Sequence, residues 1–105
     1  MADWEWFFAR KDEQLLPDSL AAWITHYHQL AVVGVRSQTV SDKILLHLQR
    51  FTTFFQDRYG HDRISTCLRR DVAAWQHDLT ATHELAATVN NHFASLSAFT
   101  TWVQI

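Results

Sequence analysis

Along four stretches of this chain, apolar residues recur at spacings of three and four. That spacing gathers side chains on one side of a helix. Leu20, Trp23, Ile24, Tyr27, Leu30 and Ala31 form the first stripe. Pro17-Asp18-Ser19 marks its start, with Asp18 or Ser19 as cap, and Gly34 is the expected terminator. The second stripe is Val40, Ile44, Leu48, Phe51, Phe55 and Tyr59, capped by Ser37 or Thr39 and closed by Gly60. Leu68, Val72, Trp75 and Leu79 make a shorter third helix behind a loop at 61–66, with Ser65 or Thr66 as cap. The last stripe is Leu85, Val89, Phe93, Leu96, Phe99 and Val103. The pattern predicts an all-α bundle of four main helices over residues 18–105. Residues 1–17 are a separate N-terminal aromatic segment, in which Trp4, Trp6, Phe7 and Phe8 are too apolar for a disordered tail. That segment either docks on the bundle or meets another subunit or domain.

The side of the last helix opposite its stripe holds Thr88, Asn90, Asn91, Ala94, Ser95, Ser97, Ala98 and Thr101, with no Lys, Arg, Asp or Glu. A solvated helix face ordinarily carries charge. A face of small side chains, amides and hydroxyls is either left to solvent, half covered by a neighbouring helix, or suited to close approach by a partner. Asn amides and Ser or Thr hydroxyls also hydrogen-bond base edges and phosphates.

Composition supports the bundle. With 48% hydrophobic residues, five Trp and seven Phe in 105 residues, there is material for one core, and two Gly and one Pro leave few breaks. No apolar run approaches the roughly 20 residues that span a bilayer. The acidic opening Met1-Ala-Asp-Trp-Glu5 differs from the basic start of a secretory signal, and a lone Cys67 offers no internal disulfide, so a cytoplasmic setting is expected.

The net charge of −2 argues against a simple polyanion binder, but the charge is unevenly placed. Residues 31–70 hold seven basic and three acidic side chains, against excess acid on either side. Lys43 and Arg50 lie two turns apart on one flank of the second helix. Arg69 and Arg70 are adjacent and cannot fully share a face. Candidate chemistry is sparse. Seven His include no pair four apart, and there is no Cys pair, so no zinc site is expected. There is no glycine-rich phosphate loop and no nucleophile elbow. Cys67 has no nucleophile signature and is expected to pack as a small apolar residue. No cofactor is implied.

Ala86-Ala87-Thr88-Val89-Asn90-Asn91-His92-Phe93-Ala94-Ser95-Leu96, closing with Phe99 and Trp102, resembles the last helix of the N-terminal core-binding (SAM-like) domain of tyrosine recombinases, the phage-integrase family. Gly34-Val35-Arg36-Ser37-Gln38-Thr39-Val40 with Leu48, Phe51 and Phe55 resembles that domain's second helix. Leu68-Arg-Arg-Asp-Val-Ala-Ala-Trp75 with Leu79, and Leu20-Ala-Ala-Trp23-Ile24 with Tyr27 and Leu30, resemble its third and first. The likeness runs from about residue 18 to residue 104, carried by the order, spacing and lengths of four helices. It departs from the family in three places. Lys43 or Ile44 stands where a Tyr is usual, Ala86 where Ser is frequent, and Asn90-Asn91 where an Arg pair is frequent.

The resemblance implies an orthogonal four-helix bundle that binds duplex DNA at a recombination site, with the second and last helices in the major groove. Arg36, Gln38, Ser41, Lys43, Arg69, Arg70, Thr88, Asn90, Asn91 and His92 are the DNA contacts it implies. It also implies a separate C-terminal catalytic domain of the parent protein as partner, and other recombinase protomers on the DNA. Strand transfer belongs to that domain, so the residues here are not those of an enzyme, and Tyr27 and Tyr59 sit on core stripes. The alternative class is a helical protein–protein interaction module without DNA binding, which the negative net charge fits better.

Overall fold

The computed structural model describes residues 16–82 and 85–105, and over these the chain is an all-α bundle. The expectations for Trp4, Trp6, Phe7 and Phe8 lie outside the described residues. Helix α1 is Leu20–Tyr27, followed without a break by a π-helical turn, His28–Val32. Helix α2 is Gln38–Tyr59, a 3₁₀ turn covers Ile64–Thr66, α3 is Arg69–Thr82 and α4 is Ala86–Val103.

Local chemistry sets most of the boundaries. Ser19 caps α1, its Oγ accepting from the Ala22 N–H at 3.3 Å. Ser37 caps α2 through the Val40 N–H, also at 3.3 Å. Gly60 ends α2 in the left-handed region at φ 77°, where a Cβ would be strained, and its N–H reaches Gln56 O at 2.7 Å. Neither Ser65 nor Thr66 caps α3, because both lie in the 3₁₀ turn. The start of α3 is instead fixed by a reciprocal pair. Asp71 Oδ2 accepts from the Leu68 N–H at 2.8 Å, and Leu68 O accepts from the Asp71 N–H at 2.9 Å. Helix α4 begins after Leu85 with no side-chain cap.

Phe51, Phe55, Phe99, Leu20, Leu48 and Leu96 are fully buried at the centre, with Trp23, Ile24, Tyr27, Trp75, Leu79, Val89 and Val103 around them. Each large side chain so buried contributes about 1.5–3 kcal/mol relative to exposure. Cys67 is packed in this core, and burial together with the Asp71 carboxylate pushes its thiol up to about 12.

Several stripe residues are placed differently from the helical expectation. Leu30 is 60% exposed, while His28 and Val32 are buried. The cause is the π turn, in which the Val33 N–H reaches back five residues to His28 O at 2.9 Å. Widening the turn rotates Leu30 outward and brings in His28, whose Nε2–H donates to Ser41 O at 2.9 Å, with Ser41 Oγ at 3.0 Å. The stripe ends Val40, Tyr59, Leu68 and Leu85 are exposed, because they lie at helix ends where no neighbouring helix covers them.

Candidate nucleic-acid interface

Helices α2 and α4 pack along each other, and beside their seam lies an open groove of about 680 Å³. The π turn closes one end with Ala31 and Val32. Helix α2 supplies Val40, Lys43, Ile44, Leu46 and His47. Helix α4 supplies Thr88, Asn91, His92, Ala94, Ser95 and Ala98. The space exists because Ala94 and Ala98, four residues apart, present only methyl groups where larger side chains would fill it. Gly34, at φ 82°, turns the chain between the π turn and α2, and Arg36 from this turn reaches the groove wall.

The groove is electrostatically one-sided. Arg36 and Lys43 line it, and among the described residues no Asp or Glu does, in a protein whose net charge is −2. Beneath and beside it runs a connected polar cluster between the two helices. Arg50 Nη1 donates to His92 Nε2 at 2.8 Å, and His92 Nδ1 donates to Thr88 O at 2.7 Å. Since a carbonyl can only accept, His92 carries its proton on Nδ1 and offers the Nε2 lone pair to arginine. Ser95 Oγ donates to Asn91 O at 3.1 Å and accepts from His47 Nδ1 at 2.8 Å. The His47 and His92 rings lie 4.0 Å apart, and Trp75 meets His92 edge-on from the core side. Burial, then the nearby His92, Arg50 and Lys43, lowers His47 to about 4, so it is neutral near pH 7. Tyr27 lines the inner wall, and burial raises its phenol above the usual value despite Arg36.

The structure brings Arg36, Lys43, Thr88 and Asn91 together on this one surface. Gln38 and Asn90 are exposed nearby in sequence but do not line the groove, and Gln38 Nε2 donates to Asp42 Oδ1 at 2.8 Å. Two assignments need correction. Ser41 is only 2% exposed and is held by His28, so it is a packing residue and not a surface contact. His92 is likewise 2% exposed, with both ring nitrogens engaged inside the protein, so it supports the groove from beneath. Arg69 lines a different cleft, with Val72, Gln76, Phe93 and Ser97 between α3 and α4, and Arg70 is exposed outside the groove.

Sequence reading missed His47 and the part played by Arg50. The signal was present: Lys43, His47 and Arg50 are spaced four and three apart, a single polar row on α2. Among the described residues no group of three or more His, Cys, Asp or Glu could hold a metal ion, and no helix is long and apolar enough to cross a membrane. Comparison with known proteins returns no matching family model, no matching curated protein and no matching solved structure.

Proposed function

We propose that this chain is a DNA-binding domain that grips duplex DNA with the α2–α4 groove, in the manner of the core-binding domain of a tyrosine recombinase. One observation carries the reading. Arg36, Lys43, Thr88 and Asn91, from three separate segments, line a single groove that, among the described residues, holds no carboxylate. Lys and Arg supply the sequence-independent attraction to phosphates, and Thr and Asn supply hydrogen bonds to phosphate or base edges. In this reading the domain works in the cytoplasm beside a C-terminal catalytic domain of the same parent protein and other protomers on the DNA. It carries no catalytic residue or cofactor of its own. Gln38 and Asn90 extend the contact along the groove's edge, and Arg69 and Arg70 lie outside it.

The test is a mobility shift on duplex DNA at graded salt. Binding should weaken steeply with salt, and Lys43→Ala with Asn91→Ala should abolish most of it. A double variant that binds as well as the parent chain would sink the assignment.

A second reading has its own support. Val40, Leu46, Ala94 and Ala98 give the groove an aliphatic wall, and the adjoining turn exposes Leu30, Val33 and Val35. Those side chains suit a helical protein partner. Concentration-dependent sizing in the absence of DNA, together with no shift on duplex, would favour it.

A further inference from the structure

The row Lys43–His47–Arg50 has a property that groove lining alone does not explain. An arginine held by a carboxylate has its charge offset by that partner. Here the acceptor is His92 Nε2, and among the described residues no carboxylate pairs with Arg50 to offset its charge. Lys43 lies two turns away on the same flank of α2, and His47 stands between them. The His47 ring is fixed as firmly. Its Nδ1–H is used by Ser95 Oγ, whose own proton goes to Asn91 O. The neutral ring therefore carries no proton on Nε2, and the next proton it takes must sit there. That proton would make a third donor in a row that already has two.

We propose that Lys43, His47 and Arg50 form a phosphodiester-binding site, and that seating a backbone phosphate there is coupled to uptake of one proton at His47 Nε2. The inference rests on the DNA reading of the groove and adds the ligand group, two residues and a pH dependence to it.

Burial first, and then the groups that face His47, make the free site resist that proton. On its own helix these are Lys43 and Arg50. From α4 they are His92 and the Ser95 hydroxyl, and across the groove stands Arg36 of the turn. Among the described residues no Asp or Glu lines the groove to oppose them. A phosphate between Lys43 and Arg50 reverses the local sign. An opposite charge within about 4–6 Å raises a histidine by about 1–3 units. Binding and protonation then favour each other, by the reciprocity of any two linked equilibria. One proton taken up strengthens binding by at most about tenfold per pH unit.

The experiment measures affinity of the full chain for a short duplex of random sequence at constant ionic strength, from about pH 7 down to about pH 5. The variant is His47→Gln, whose amide can still donate to Ser95 Oγ but does not titrate. The expected result is several-fold tighter binding by the parent chain as pH falls, and a flat profile for the variant. A flat profile for the parent chain overturns the proton coupling while leaving DNA binding intact. An equal slope in both proteins overturns the assignment to His47. No binding at any pH sinks the groove reading itself, and this inference with it. A ring-proton NMR titration of His47 in the parent chain, alone and with duplex, reads the same coupling without a variant. His47 should titrate at higher pH in the complex, and an unmoved titration would overturn the proposal.

Discussion

Two polar clusters in this protein are built from opposite materials. Where α1 meets the 61–66 loop, and where the end of α2 meets the start of α3, carboxylates collect donors. Asp18 accepts from the Ser65 N–H at 2.8 Å, the Ser65 hydroxyl at 2.6 Å and Arg63 Nε at 3.2 Å. Asp62 accepts from the Ser19 hydroxyl at 2.7 Å and the Ala21 N–H at 3.2 Å, and Asp71 accepts from the Leu68 N–H and the Tyr59 hydroxyl. Each negative group is matched inside the chain. At the groove the fixed members are His92, His47 and Ser95, with Arg50 held on His92 beside them, and among the described residues the cations Lys43 and Arg36 line it without a carboxylate. The first cluster is complete and joins the fold. The second has positive charge to spare, and a surplus of one sign in a groove is how a protein selects an anionic partner.

The contrast is sharpest where removal should hurt folding and leave the groove alone. Asp71 is 1% exposed, and Asp71→Ala strands the Leu68 N–H and the Tyr59 hydroxyl. A loss of about 2–4 kcal/mol in urea unfolding is expected. A loss under about 0.5 kcal/mol would show that the cluster is not the structural one. The opposite pattern is expected of Arg36→Ala with Lys43→Ala. Stability should change by less than about 0.5 kcal/mol, as for exposed residues generally. The slope of log affinity against log salt should fall by roughly one per cation removed. A large melting change with an unaltered slope would reverse the roles given to the two regions.

Smaller effects sharpen the border between them. Ser41→Ala should cost about 0.5–1.5 kcal/mol at most, since His28 keeps the Ser41 carbonyl, and duplex affinity should not move. An affinity change would return Ser41 to the interface. Asp18 is held below its ordinary 3.8 chiefly by the hydrogen bonds from Ser65. A carboxylate lowered in the folded state adds stability that is present above its unfolded value and lost as pH falls through its folded value. Acid melts of Asp18→Asn should therefore lack a small part of the parent chain's loss of stability below about pH 4. Solvent access to Asp18 keeps this the smallest of the four, and identical acid profiles would remove Asp18 from the structural cluster.

Much of the architecture was legible because it depends on period and caps. Ser19, Ser37 and Gly60 are local signals, and the buried Leu48, Phe51, Phe55, Leu96, Phe99 and Val103 follow helical spacing. The π turn was not legible, since an extra residue per turn leaves no mark on composition, and it alone exchanged Leu30 for His28. The groove was half legible. Thr88, Asn91, Lys43 and Arg36 meet there because helical geometry and a short turn put them there. Ser41 and His92 were misplaced because a polar residue on an uncharged face can turn either way, and only tertiary packing decided it. His47 was overlooked because a lone histidine on a helix has no signature until its neighbours across the seam are known.

The buried thiol of Cys67 has a practical consequence. It is the chain's only sulfhydryl, it is enclosed beside Asp71, and it is pushed up to about 12, so alkylating reagents at neutral pH meet almost no thiolate while the domain is closed. Its labelling rate is therefore a clock for transient opening of that corner, read without any engineered probe. Duplex that grips the groove and slows this clock would reveal that holding DNA tightens the molecule at Cys67 too.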